Sequence, residues 1–172
     1  MVNRMKYWVR SAGVLLFMLA GITGIRSQEK GDYMFGINYV ASFDNNSEDY
    51  GHTGLSVKGQ YYFLDLIRAQ PSLTYFFRKD FIGPVDLSVD AHALIHLNER
   101  VALYPLAGGG LMVSEIPERE DKNVVTVSAF VNLGGGIDCW LGSNLLGNVE
   151  FKVKNIYRET WFHAAIGIAY LF

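Results

Sequence analysis

The chain has little of several things, and each scarcity excludes something. It holds one cysteine, Cys139, among 172 residues. One cysteine forms no internal disulfide, and this one lies far from the N-terminal segment, so a lipid-modified N-terminal cysteine is excluded. No apolar run reaches the ~20 residues a membrane-spanning helix needs. The longest is "AGVLLFMLAGITGI", from Ala12 to Ile25. Basic residues are outnumbered, 15 Lys and Arg against 17 Asp and Glu. Without a basic patch, nucleic acid is not an expected partner. Beyond Tyr33 there is no amphipathic helical periodicity, no linker and no low-complexity tract. That points to a single all-β domain.

The first segment has a definite shape. Arg4, Lys6 and Arg10 precede the uncharged apolar run, and small residues follow it. A basic start, a short apolar centre and a small-residue end predict a secretory signal peptide over residues 1–27, with cleavage after Ser27 or alternatively after Gly24. A retained signal anchor is the competing reading of the same segment. Removing residues 1–27 takes away Arg4, Lys6, Arg10 and Arg26. The remaining domain, 28–172, holds 11 basic and 17 acidic residues, a net charge of −6.

What that domain has in abundance is period-two alternation, the mark of strands with one apolar face. Eight segments carry it: 33–43, 53–63, 68–78, 85–97, 101–113, 124–141, 145–157 and 162–172. The clearest is the fourth. Val85, Leu87, Val89, Ala91, Ala93, Ile95 and Leu97 alternate with Asp86, Ser88, Asp90, His92 and His96. Connections alternate too. "LDLI", "NER" and "GSN" are tight, whereas "DNNSEDYGHT", "KDFIGP" and "SEIPEREDKN" are longer and polar. Short turns at one end and longer loops at the other predict an eight-stranded antiparallel up-and-down transmembrane β-barrel. About 18 residues per strand and connection suit membrane strands of ~9–11 residues.

A soluble barrel with its apolar face inward also alternates. Three features favour the inverted arrangement. Aromatics gather at two levels, with Tyr33, Tyr61, Phe63 and Tyr170 near the short turns and Phe43, Tyr75, Phe77, Tyr157 and Phe162 near the loops. Two such girdles match the two interfaces of a bilayer. The polar faces carry both signs of charge, Lys58, Arg68, Lys152 and Lys154 against Asp86, Asp90, Asp138 and Glu150. These eight form the expected ion-pair network of an enclosed lumen. The sequence given also stops on the aromatic Phe172, in mid-strand.

The stretches "LYPLAGGGL" (Leu103–Leu111), "NLGGGIDCWL" (Asn132–Leu141), "VEFKVK" (Val149–Lys154) and the ending "AIGIAYLF" carry a family resemblance. The chain resembles the small outer-membrane β-barrel proteins of Gram-negative bacteria, of the OmpA transmembrane-domain, OmpX and opacity-protein kind, within the porin-family barrels. The resemblance spans essentially the whole of 28–172. It implies an integral surface component of the outer membrane, monomeric, with both termini periplasmic and with membrane lipid and lipopolysaccharide around the wall. It also implies that the last strand, through Tyr170 and Phe172, is read by the outer-membrane barrel assembly machinery. The periplasmic domain of OmpA itself has no counterpart here, so peptidoglycan anchoring is not implied.

Other motifs bear on chemistry. Glycine runs 108–110 and 134–136 suggest phosphate cradles only at a strand-to-helix junction, and no helix follows. If Val113 stands opposite Val125, Gly108 faces Phe130 and Gly134 faces Tyr104, so that an aromatic ring covers each glycine across the strands. His92 and His96 share a face with Asp90, but four residues along a strand separate them by ~13 Å, too far for one ion. No cofactor and no metal site is expected. His163 near the loop end has no serine close in sequence; Ser114 and Ser128 could reach it only through the fold. No catalytic residue is therefore assigned, and an enzyme acting on lipid A stands as the second alternative. The first alternative is an adhesin or ligand-binding barrel acting through the acidic loops 44–52 and 114–123. "NNS" at Asn45–Ser47 matches a glycosylation sequon, which carries little meaning in a bacterial context.

Overall fold

The computed structural model describes residues 30–44, 52–77, 83–118, 122–156 and 159–172, with backbone alone at 44, 115–118 and 122–123. The expected signal segment 1–27, Arg78, Tyr157 and most of the first loop lie outside the described residues.

Among the described residues, nine strands follow in order. They are β1 (Tyr33–Asp44), β2 (His52–Leu64), β3 (Ile67–Phe76), β4 (Val85–Ala93), β5 (Ile95–His96), β6 (Val101–Glu118), β7 (Lys122–Trp140), β8 (Leu145–Ile156) and β9 (Glu159–Leu171). The two-residue β5 continues β4 beyond Leu94, and both pair with β6. At the interruption the Leu94 amide donates instead to the Leu66 carbonyl at 2.7 Å. β4 and β5 thus form one stave of eight. Each stave pairs with its sequence neighbours, and β1–β9 pairing closes the sheet into an antiparallel barrel. Closure removes the free edges that an open sheet exposes.

Tight turns gather at one end. Between β5 and β6, the Asn98 carboxamide oxygen accepts from the amides of Arg100 and Val101 at 2.8 and 2.9 Å. A side chain that mimics a backbone turn in this way lets a strand reverse in few residues. Between β7 and β8, the Leu141 amide donates to the Leu145 carbonyl at 2.8 Å.

The faces are inverted relative to a soluble barrel. Along β1, Tyr33, Phe35, Ile37, Tyr39 and Phe43 are exposed, while Met34, Asn38, Val40 and Ser42 are buried. The other staves repeat this parity, so the outer wall is a continuous apolar surface. A surface of that kind is stable against hydrocarbon and not against water. Exposed rings sit at both levels. Tyr61 packs edge-on to Phe63 at 4.8 Å and Phe172 stacks on Tyr33 at 5.7 Å near the turns, while Tyr75 meets Phe77 at 5.9 Å near the loops.

The largest departure from expectation is the β6–β7 hairpin. These strands pair continuously from Val101↔Cys139 out to Glu118↔Lys122. The expected loop 114–123 is therefore mostly strand, with residues 119–121 between the two paired ends. β4 accompanies β6 only as far as Val113, and β8 accompanies β7 only as far as Phe130. Beyond those points the hairpin is a two-stranded ribbon projecting from the rim.

Pairing to the tip also corrects the expected register. Val113 stands opposite Val127, not Val125. Gly110 faces Phe130 and Gly136 faces Tyr104, in place of Gly108 and Gly134. The shift is two residues, so every side chain keeps its face. The covering of glycine by aromatic survives. A Cβ on Gly110 would lie 2.7 Å from the Phe130 ring, and one on Gly136 would strike the Tyr104 hydroxyl.

Candidate functional site

Even-numbered residues of β2, β3, β4, β6, β7 and β8 point into the barrel, along with odd-numbered residues of β9. The filled lumen they create has three levels. At the turn end Met34, Tyr62, Leu94, Tyr104, Leu106, Trp140, Leu146 and Leu171 form an apolar floor. These residues were not singled out from sequence, because polar inner faces were expected throughout. A signal was present. Alternation fails at Tyr61–Phe63, Trp140–Leu141 and Leu145–Leu146, where consecutive residues are apolar. A strand apolar on both faces at its turn end has lipid on one side and a packed core on the other.

Above the floor stands Arg68, fully buried. Its Nη1 donates to Asp138 Oδ2 at 2.5 Å and to the Tyr62 hydroxyl at 3.1 Å, and its Nε donates to His92 Nδ1 at 3.0 Å. Its guanidinium carbon lies 4.6 Å from the Tyr104 ring centre. His92 stacks on the same ring at 4.6 Å. A guanidinium presents several donors in one plane, so it can satisfy a carboxylate, a phenol and an imidazole together.

The middle level is an ion-pair chain. Lys152 Nζ bridges Asp90 at 2.6 Å and Glu150 at 2.9 Å. Asn132 donates to the second Asp90 oxygen at 2.8 Å, and Tyr104 and Gln70 donate to Glu150 at 3.1 and 3.3 Å. Higher still, Lys154 pairs with Asp86 and lies 4.3 Å from the Phe130 ring centre. All eight residues of the expected network thus lie inside the barrel. Lys58 differs in its partner, since its ammonium donates to the Asn148 carboxamide oxygen at 2.6 Å and not to a carboxylate.

His96 does not share the lumen with His92; it is exposed beyond the floor, on β5. His163 is buried, and its Nε2 lies 3.2 Å from the Ser42 hydroxyl. Neither Ser114 nor Ser128 fills that place. Ser42 and His163 are direct cross-strand neighbours on β1 and β9, which no sequence proximity announces. Among the described residues, no three His, Cys, Asp or Glu side chains converge on a metal-sized point.

Between these levels the free space is small. A gap bordered by Asn38, Gln70, Ser88 and Lys152 measures about 20 Å³, room for one water. The loop end is different. There Ser42, Phe76, Asp86, Met112, Trp161 and His163 help to line a cavity of about 390 Å³.

Wall, floor and lumen together define a small eight-stranded β-barrel of outer-membrane type with a filled interior. No protein-family model matches the chain, and no curated protein matches it. Solved structures do. Ail, the attachment invasion locus protein of Yersinia pestis, is similar with a TM-score of 0.62 at 17% identity, over 83% of this chain and 99% of that one. The N-terminal β-barrel domain of Pseudomonas aeruginosa OprF gives 0.56 at 18% identity, over 84% and 100%. Neisserial surface protein A gives 0.65 at 8% identity, over 82% and 96%. At these identities the likeness is one of fold, and the fold is that of the small outer-membrane barrels.

Proposed function

We propose that the protein is an integral component of the outer membrane with a closed lumen, acting at the cell surface and not as a pore or a catalyst. The observation that carries this reading is the filling of the lumen, from the apolar floor through Arg68–Asp138 to the Asp90–Lys152–Glu150 bridge. An eight-stranded barrel is just wide enough for its own side chains, and these interlock across it. Planar-bilayer recording of the purified protein tests the reading. No steady conductance is expected, and a large ohmic channel would overturn it.

The short turns and both chain termini face the periplasm in this reading, with lipid and lipopolysaccharide around the wall. The protein acts as a monomer. The barrel assembly machinery recognises the last strand, where Tyr170 and Phe172 stand exposed and edge-to-face at 5.2 Å. Replacing Phe172 with Ser should lower the amount of heat-modifiable protein in isolated outer membranes. Equal amounts would remove that role.

A surface-contact role has its own support in the projecting ribbon. Val124, Val125 and Val127 are exposed on β7 above the point where β8 ends. Shortening the ribbon should abolish attachment to a surface ligand while leaving barrel assembly intact.

A further inference from the structure

The loop-end cavity is unlike the rest of the lumen, being open where the levels below are filled. Its volume of about 390 Å³ falls within the range of small-molecule sites. Asp86 is 1% exposed, and its Oδ1 has no hydrogen-bond partner among the described residues. Its other oxygen is held by Lys154. A buried carboxylate oxygen left without a donor is costly. Glu159 adds a second carboxylate at the rim of the same cavity. Among the described residues, the one ammonium in the lining, Lys154, already lies between Asp86 and the Phe130 ring. The walls between these groups are Phe76, Met112 and the Trp161 indole. The indole N–H is also buried and without an acceptor among the described residues.

We propose that this cavity is a binding site for a small organic cation, with an ammonium group donating to Asp86 Oδ1 and an apolar body lying between Phe76, Met112 and Trp161. Among the described lining residues, two carboxylates against one engaged ammonium favour a cation over an anion. Aromatic faces add attraction for a desolvated ammonium, and an oxygen on the ligand would satisfy the indole N–H. The ligand enters from the loop end and does not cross the lumen, because the levels beneath it are closed. The site is separate from the projecting ribbon and does not depend on any contact made there.

Three probes of similar size and different charge test it: 2-phenylethylamine, 2-phenylethanol and 3-phenylpropionate. Each is titrated into the purified full chain in liposomes, with tryptophan fluorescence as the readout and a Trp161→Phe variant identifying the responding indole. The amine should give a saturable change that Trp161→Phe abolishes. The alcohol and the carboxylate should bind at least about tenfold more weakly, as loss of one charged hydrogen bond implies. Asp86→Asn should weaken the amine by about tenfold on the same basis. If that variant does not fold, Glu159→Gln at the rim carries the test. It should weaken the amine by roughly twofold, as a partly solvated charge does, and leave the alcohol unchanged. Equal binding of all three probes, preference for the carboxylate, absence of a saturable change, or an unaltered amine affinity in the carboxylate variants would overturn the proposal.

Discussion

The two ends of the lumen are built on different rules. At the turn end, rings and aliphatic chains pack around a guanidinium, and Asp138, Tyr62 and His92 all take a hydrogen bond from Arg68. At the loop end, short polar side chains such as Ser42, Ser56 and Thr74 bond in local pairs, Ser42 with His163 and Thr74 with Ser56, beside the cavity. The first arrangement is interdependent, the second modular. A buried hub that loses its charge leaves several groups unsatisfied at once, whereas a modular pair loses one bond.

The largest way to break that comparison is Arg68→Ala. It strands the Asp138 carboxylate in the barrel and removes the partner of Tyr62 and His92. Breaking one partner of a buried pair costs about 3–5 kcal/mol, so the midpoint of urea unfolding in liposomes should fall sharply. Gly136→Ala comes next. Its new methyl meets the Tyr104 hydroxyl and the backbone of β8, and overpacking of this kind costs about 1–3 kcal/mol. At the loop end, Ser42→Ala should cost only about 1 kcal/mol, the net value of one hydrogen bond. If Ser42→Ala destabilised the barrel as much as Arg68→Ala, the contrast between hub and modules would fail. The smallest effect sharpens the geometry. In a Cys139→Ser background, cysteines at Met112 and Ser128 should link, as they stand directly opposite. Cysteines at Gly110 and Ser128 should not, and the reverse result would restore the earlier register.

These regions were also unequally legible. Strand β4 could be read residue by residue, since Val, Leu and Ala alternate with Asp, Ser and His and the period is strict. The eight charged lumen residues followed from the same parity. The ribbon could not be read, because "SEIPEREDKN" has the composition of a loop. Val124 and Val125, consecutive on β7, are both exposed, so no single buried face is needed there and no alternation records the pairing. Pro117 lies where β6 has lost β4 as a neighbour, so its missing N–H interrupts no ladder on that side. The register error has the same root, since a hairpin's register is set by its turn. The Ser42–His163 contact and the Asp86 cavity needed the β1–β9 seam and the β4–β8 distance across the lumen. Neither is encoded by local periodicity.

The seam has a consequence for how the molecule is made. Most pairings join strands adjacent in the chain, and such contacts form with little loop-closure cost. The seam joins Met34 to Leu171 and Asp44 to Trp161, segments from opposite ends of the domain. Contacts of that separation are the slowest to be reached. Until they form, β1 and β9 each present a row of unpaired amides and carbonyls, and an apolar face has not yet found lipid. Wherever such a partly paired chain meets water it is vulnerable to aggregation. The rate at which β9 finds β1, more than the strength of any single contact, sets how long the chain needs protection there.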